Sequence, residues 1–550
     1  MIIKMQLQVS CFLYYIGWYN KTNEMGYQRR KLFVLGRYYM GNIKSFNLDN
    51  NYSIEGMWAL NLGDLFEKNS FIFSDEAIPG NLEISKGRIT LDINSCFNRF
   101  GSDYDKNVYR IYGYLSSGLF VILEKCFIIN RALSAPGYVV EKYLANVAYI
   151  LDKDPIYTDF NIEEKIIATK VNFEIDYLKN WYNIDLPRFD NLRNSNGVTI
   201  HYNNEFFDKN KFEILDGKYI ISLKKDIKAN QVINQGAQVK TESYISIYTK
   251  DYKTETIEIF MEIANWTLKL SDFLTQTFGR YTYFEFYLED EMNRMRIEDL
   301  GNGECKFHSP KYKGRLIFRQ ASNESPKLKI NSLRLSDIKD DYGELIKAWF
   351  EEKDKLQYII DLYYQNMNSS LEIETILVNK IKMLETYYDN FLQGQEESLT
   401  NKDLKYNEAK EKIKNYMNSL EIEESTKEEV NRRLDKNKKN STTLREKLEV
   451  VLERFPDELK VVFSEMDPNW KEDTNFIFNF SRRLKDTRNF YTHGANNRRN
   501  KKRLKTTDEF LSASLVLDFV IYYFVLRSLY GENRNKRIYQ YPFLKSNLRK

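Results

Sequence analysis

The chain has 550 residues, enough for two to four domains that each bury an ordinary core. Hydrophobic residues at 42% and aromatic residues at 15% exclude global disorder, and nine prolines leave little room for Pro-rich linkers. A formal net charge of +4 excludes a polybasic coat, so any nucleic-acid contact has to be local.

Residues 1–40 match no recognisable pattern. The apolar run Val9 to Tyr19 lacks the basic start and small-residue cleavage site of a signal peptide, and reads as a buried strand or a start set too early. From about Leu32 to Phe318 short alternating runs dominate. Ile89, Leu91 and Ile93, then Val171, Phe173 and Ile175, then Ile257, Ile259, Met261 and Ile263, show the period-two spacing of half-buried strands. Pro79-Gly80, Asp216-Gly217 and Gly301-Asn302-Gly303 read as turns between them. Residues 41–335 are therefore expected to be a β-rich antiparallel region, with a possible internal break at 186–196. Cys11, Cys96, Cys126 and Cys305 form no C-x-x-C pair, so no zinc site, disulfide framework or other cofactor is implied, and a reducing cytosol fits.

From about Asp341 the period becomes helical. Leu345, Ile346, Trp349 and Phe350 open the series, Ile373 to Phe391 continue it, and Leu444 to Phe455 follow a Ser441-Thr442-Thr443 start. The charged stretch 395–440 should be solvated helix or loop inserted between core helices. Two further helices are predicted from Asp473 to about Thr492 and from Asp508 to Tyr530, the last with a capping box from Thr506 to Glu509. Leu511 to Leu529 approaches membrane-spanning length but carries Asp518 and Arg527, so it reads as a helix buried in a bundle. The overall class is α+β: a β-rich antiparallel region, then an α-helical bundle over 341–535, then a tail at 536–550. No membrane association is expected.

Positive charge is concentrated between Ser481 and Lys505, SRRLKDTRNFYTHGANNRRNKKRLK, where Asp486 is the single acid. Phe476, Ile477, Phe480, Leu484 and Tyr491 mark an apolar stripe on the first of the two late helices, and Arg488 lies on its side. A cation there needs a partner or a ligand. A structural ion pair with a carboxylate such as Glu385 satisfies that need as well as a phosphate does. His493, one of three histidines beside His201 and His308, follows Arg488 by five residues, ~140° around a straight helix. Two arrangements bring the pair together: Gly494 ends the helix and lets a frayed His493 turn back, or the pair meets its copy across a dimer. The run after Gly494 is either a solvated loop or an RNA clamp made by Arg498, Arg499, Lys501, Lys502 and Arg503.

Arg488 to Gly494, RNFYTHG, late in a helical bundle and followed by an apolar helix, resembles the HEPN superfamily, and within it the ApeA-like group of anti-phage proteins. Ile54 to Trp58, Gly113-Tyr114, the run Leu119 to Ile129 and Val171 to Trp181 resemble the β-rich N-terminal region of that group. Leu384-Glu385 with Tyr387-Tyr388 resembles the first HEPN helix. The resemblance implies a metal-independent endoribonuclease of abortive infection, acting on RNA, transfer RNA included. His493 would be the acid or base, Arg488 the cation on the phosphate, and Asn489 the residue orienting either. Tyr491 and Glu385 would support the site. One histidine per chain implies a homodimer, and the β-rich region would sense a phage-derived trigger. Ala495, where nucleotidyltransferase-paired HEPN proteins tend to carry a tyrosine, disfavours an adenylylated toxin. The alternative is a catalytically silent RNA-binding or scaffold protein with a helical dimerisation domain.

Overall fold

The computed structural model describes residues 46–531, except 68–71, 86, 98–106, 135–137, 153–164, 185–187, 192–197, 202–204, 233–235, 252, 289–295, 300–304, 309–312, 321–327, 329–331, 369, 395–400, 421, 437–441 and 494–501, with Ile43 and Leu544 besides. The N-terminal extension, Gly301-Asn302-Gly303 and most of the 186–196 and 536–550 segments lie outside the described residues. The chain divides into two compact units, residues 1–268 with 279–328, and residues 269–278 with 329–550.

The first unit is built on β1 (Tyr52–Ala59), β2 (Ile78–Ser85), β3 (Arg88–Ile93), β4 (Asn107–Leu115), β5 (Phe120–Ser134) and β6 (Tyr138–Ala145). Their order is β5-β4-β1-β2-β3-β6, and β6 pairs back onto β5, so six antiparallel strands close into a barrel. Closure removes the free edges that an open sheet would expose. Trp58 is fully buried, and its ring leaves no room for a side chain at residue 113: a Cβ on Gly113 would lie 2.2 Å from it. The 15-residue β5 also leaves the barrel. Phe120 to Glu124 pair with β7 (Val147–Leu151), beyond which β13 (Lys313–Phe318), β12 (Tyr281–Tyr287), β8 (Lys170–Ile175), β11 (Gly236–Thr249), β10 (Tyr219–Val232) and β9 (Lys211–Ile214) extend the sheet in that order.

Two expectations are corrected here. Ile257 to Ile263 is not a strand; it opens α1 (Ile257–Thr275). Ile257, Phe260, Ala264, Thr267 and Ser271 are fully buried, so the helical spacing carries the packing while Ile259 and Met261 are only half-buried. Phe260 meets Tyr219 edge-on, 6.2 Å between centroids. Pro79-Gly80 is no turn either. Both lie inside β2, where Pro79 faces Met57 and a Cβ on Gly80 would strike Asp92 O at 2.7 Å. Asp216-Gly217 does turn the chain, with φ of 55° and 77°.

The second unit is helical: α2 (Tyr342–Glu351), α3 (Lys353–Asn368), α4 (Ile373–Tyr387), α5 (Asn401–Asn418), α6 (Glu424–Lys436), α7 (Leu444–Glu453), α8 (Phe476–His493) and α9 (Thr507–Tyr530). The charged 395–440 stretch holds α5 and α6. Thr443 caps α7 and Thr506 caps α9, each in a capping box with the glutamate three residues on. Among the described residues α9 is the one helix long and apolar enough to cross a bilayer, and most of it is buried within this unit. It packs on α4 and α2, while α8 lies against α7 and α4. Leu377, Ile381 and Leu384 of α4, Leu448 and Val451 of α7, Phe480 and Leu484 of α8 and Val520 and Phe524 of α9 form the core. A π-helical turn, Tyr388–Leu392, continues α4 and carries Asp389, which pairs with Lys447 of α7.

Candidate functional site on the Arg488 helix

Helix α8 buries Phe476, Phe480, Ser481, Leu484, Asp486 and Thr487, one face and part of a second. Tyr491, expected on the buried stripe, is instead 44% exposed. Its ring meets Phe510 edge-on at 6.0 Å and Phe490 at 5.1 Å. What burial it has, with the charge of Glu374, raises that hydroxyl's pKa, and Arg503 opposes the shift.

Arg488 sits where the stripe ends, its side chain 23% exposed. Its Nη2 is 3.5 Å from Glu385 Oε2, on the last turn of α4, and its Nη1 donates to Asn489 Oδ1 at 3.3 Å. Its Nε is buried without a hydrogen-bond partner. Glu385 in turn lies 4.0 Å from Lys447 Nζ of α7, and Lys447 holds Asp389 of the π-helical turn at 2.7 Å. Four charges thus alternate in sign across three helices, and Arg488 is the terminal one.

His493 is the last residue of α8 and is exposed. The helix runs straight through it, so a frayed end that turns back onto Arg488 is not what forms; no hydrogen bond or ion pair engages His493 among the described residues. Five helical steps leave it ~140° around the axis from Arg488 and ~7.5 Å along it. Within one chain the two side chains leave different faces of the helix.

Arg498, Arg499 and Lys501 lie outside the described residues. Lys502 is exposed, and the Arg503 guanidinium lies flat on Phe490, 3.7 Å from its centroid. The strand of loop that follows is anchored rather than free. Leu504 is fully buried and its amide donates to Thr487 Oγ1 at 2.9 Å, while that hydroxyl donates to Arg483 O at 2.8 Å. The Lys505 amide donates to Glu509 Oε2 at 2.7 Å, and Glu509 also pairs with Arg483. Burial would raise the Glu509 pKa, but the Lys505 and Thr506 amides and Arg483 together lower it. Lys447, Asp389, Thr487 and Phe490 were not singled out from the sequence; each acts through a partner at least thirteen positions away, a pairing that periodicity does not reveal. Among the described residues no group of three His, Cys, Asp or Glu side chains is arranged to hold a metal ion.

Among the described residues the first unit contains a six-stranded antiparallel barrel and the second is helical, with the R-x4-H spacing at the end of α8. Residues 378–534 match Apea-like HEPN, and residues 53–349, more than half of the chain, match ApeA N-terminal domain 1. The chain belongs to the ApeA-like HEPN family. That family is a defence-associated HEPN group, which supports a nuclease-type anti-phage role in general terms. No curated protein and no solved structure matches the chain.

Proposed function

We propose that the chain is an anti-phage endoribonuclease that cleaves RNA through Arg488, Asn489 and His493 brought together across a homodimer. The observation that carries this reading is the state of Arg488: a partly exposed guanidinium, lightly held by Glu385 at 3.5 Å and by Asn489, on a helix that ends in an exposed histidine. RNA supplies its own nucleophile. One His493 takes the proton of the 2′-hydroxyl, the 2′-oxygen attacks phosphorus, and the P–O5′ bond breaks as the partner copy's histidine protonates the leaving oxygen. Arg488 balances the charge that builds on the non-bridging oxygens. The products are a 2′,3′-cyclic phosphate and a 5′-hydroxyl. Transfer RNA is a suitable substrate, Lys502 and the cations before it would track the backbone, and the β-rich unit would sense a phage-derived trigger in the cytoplasm.

Purified protein incubated with total RNA in EDTA, beside Arg488→Ala and His493→Ala, tests this. Cleavage to cyclic-phosphate ends, lost in both variants while their melting curves stay cooperative, is the expected result. Cleavage that requires a divalent metal, or that survives in His493→Ala, overturns the mechanism. The Arg488–Glu385 ion pair also fits a second reading, a silent RNA-binding protein in which Arg488 is structural. Salt-sensitive RNA binding without cleavage, in the presence of phage lysate as trigger, would favour it.

A further inference from the structure

We propose that the outer face of α8 is a track for single-stranded RNA leading to His493, with Arg482 and Lys485 on its phosphates and Phe478 stacked against one of its bases. The inference rests on the ribonuclease reading for its substrate and adds where, and in what form, that RNA lies.

Helix geometry assembles the track. At ~100° per residue, Phe478, Arg482, Lys485 and His493 all fall within ~40° of Asn489 around the axis of α8, and together they span ~22 Å of it. Phe480 and Leu484 point the other way, into the core. One face thus carries, in order, an aromatic ring, two cations, an amide and the exposed histidine.

The side chains on this face are not used up by the fold. The neighbouring arginines all have acidic partners: Arg483 holds Glu509, Arg488 holds Glu385, and Arg445 holds Glu446 and Glu449. Arg482 is half-buried as well, yet it enters no hydrogen bond or ion pair among the described residues. Its charge and five N–H donors have nothing to answer them within the chain. Lys485 Nζ lies 2.9 Å from Asp486 Oδ1 with its side chain 30% exposed, and an ammonium has two further protons to give. Asp486 is itself buried, so it presents no carboxylate to a strand passing over the face. Phe478 is 39% exposed. The Arg445 guanidinium lies over its ring, 4.7 Å from the centroid, and a base on the opposite side would complete the stack.

The mixture of ring and cations selects the form of the RNA. A phosphate can meet a cation whether the RNA is single or paired, but a base reaches a ring on a helix surface only when it has left its own stack. A protein partner would find little to bury, because Phe478 is the one apolar side chain on this face.

A labelled 2′-O-methyl oligonucleotide, which has no free 2′-hydroxyl to attack, allows binding to the full chain to be followed by anisotropy without cleavage. It is titrated at several salt concentrations, as a single strand and as a duplex of the same sequence. Arg482→Gln should weaken both forms and reduce the slope of log affinity against log salt for the single strand by about 0.7, the share of one phosphate contact. Phe478→Ala should weaken the single strand about fivefold or more with its slope unchanged, and should leave the duplex unaffected. Because Phe478 also packs beside Arg445, Phe478→Trp is the second variant; it keeps a ring and should retain single-strand binding. An unchanged slope in Arg482→Gln, equal weakening of duplex and single strand in Phe478→Ala, or equal losses in Phe478→Ala and Phe478→Trp would overturn the track. RNA binding indifferent to all three variants overturns the track alone, whereas absence of binding to either form overturns it together with RNA as the substrate.

Discussion

In the proposed reaction the geometry of an arginine at position 488 matters as much as its charge. Its planar group turns one Nη to Glu385 and the other to Asn489, and each Nη keeps a second N–H, so one side chain can stay oriented while it meets a phosphate. Lysine at this position can keep the charge but not the fork. Arg488→Lys should therefore lower the rate of RNA cleavage by about a hundredfold or more, the scale of losing one oriented donor in a transition state, while the fold is unaffected. Glu385→Gln separates orientation from stability. The ion pair is about a quarter exposed on both sides, so its loss should change the unfolding free energy by about 1 kcal/mol or less in urea titration. If Glu385→Gln instead unfolds the protein while Arg488→Lys cleaves normally, Arg488 is a structural residue.

At the scale of elements, the chain entering α9 is fastened to α8 by Arg503 on Phe490 and by two polar links, each of which can be tested. Thr487→Val removes the acceptor of the buried Leu504 amide and should cost about 1–3 kcal/mol, with Thr487→Ser restoring most of it. Hydrogen exchange at the Leu504 amide reads the same bond locally. The second fastening is pH-dependent. Glu509 has a lowered pKa in the fold, so the stability it contributes is complete above the ordinary glutamate value of about 4.3 and fades as pH falls through the lower folded value. Melting temperature followed downward from pH 6 to about pH 3 should fall less steeply in Glu509→Gln than in the unaltered chain; parallel curves would exclude the linkage. These fastenings were not visible in the sequence, although the two capping boxes were, and the difference is one of range. Thr506 and Glu509 are three residues apart and meet whatever the rest of the chain does. Thr487 meets Leu504 only because the intervening loop returns. The opposite failure occurred at α1, where Ile257, Ile259, Met261 and Ile263 satisfy a strand's spacing while Ile257, Phe260 and Ala264 satisfy a helix's. Both periods are present locally, and tertiary packing selects one.

For the whole molecule, the succession of a β-rich antiparallel region and a helical HEPN bundle was legible because the apolar period changes near Asp341. Closure of the barrel was not, since it depends on β6 pairing both with β3 and back onto β5. The motif shows the same division. RNFYTHG is readable as a string, but its residues leave α8 in directions ~140° apart, so one chain offers Arg488 and His493 to different places. A single copy would then hold each half of the chemistry without a shared phosphate, and two copies facing across a twofold axis would supply both. The rate should consequently follow the dimer population. Cleavage per chain should be constant at concentrations where sedimentation shows dimer and should fall in proportion to chain concentration well below the dissociation constant, because the active species then forms in a second-order step. Added inactive Arg488→Ala, His493→Ala double-variant chain should inhibit by drawing active chains into mixed dimers. Constant specific activity through a range in which the protein sediments as a monomer would exclude the composite site and return the histidine's role to a single chain.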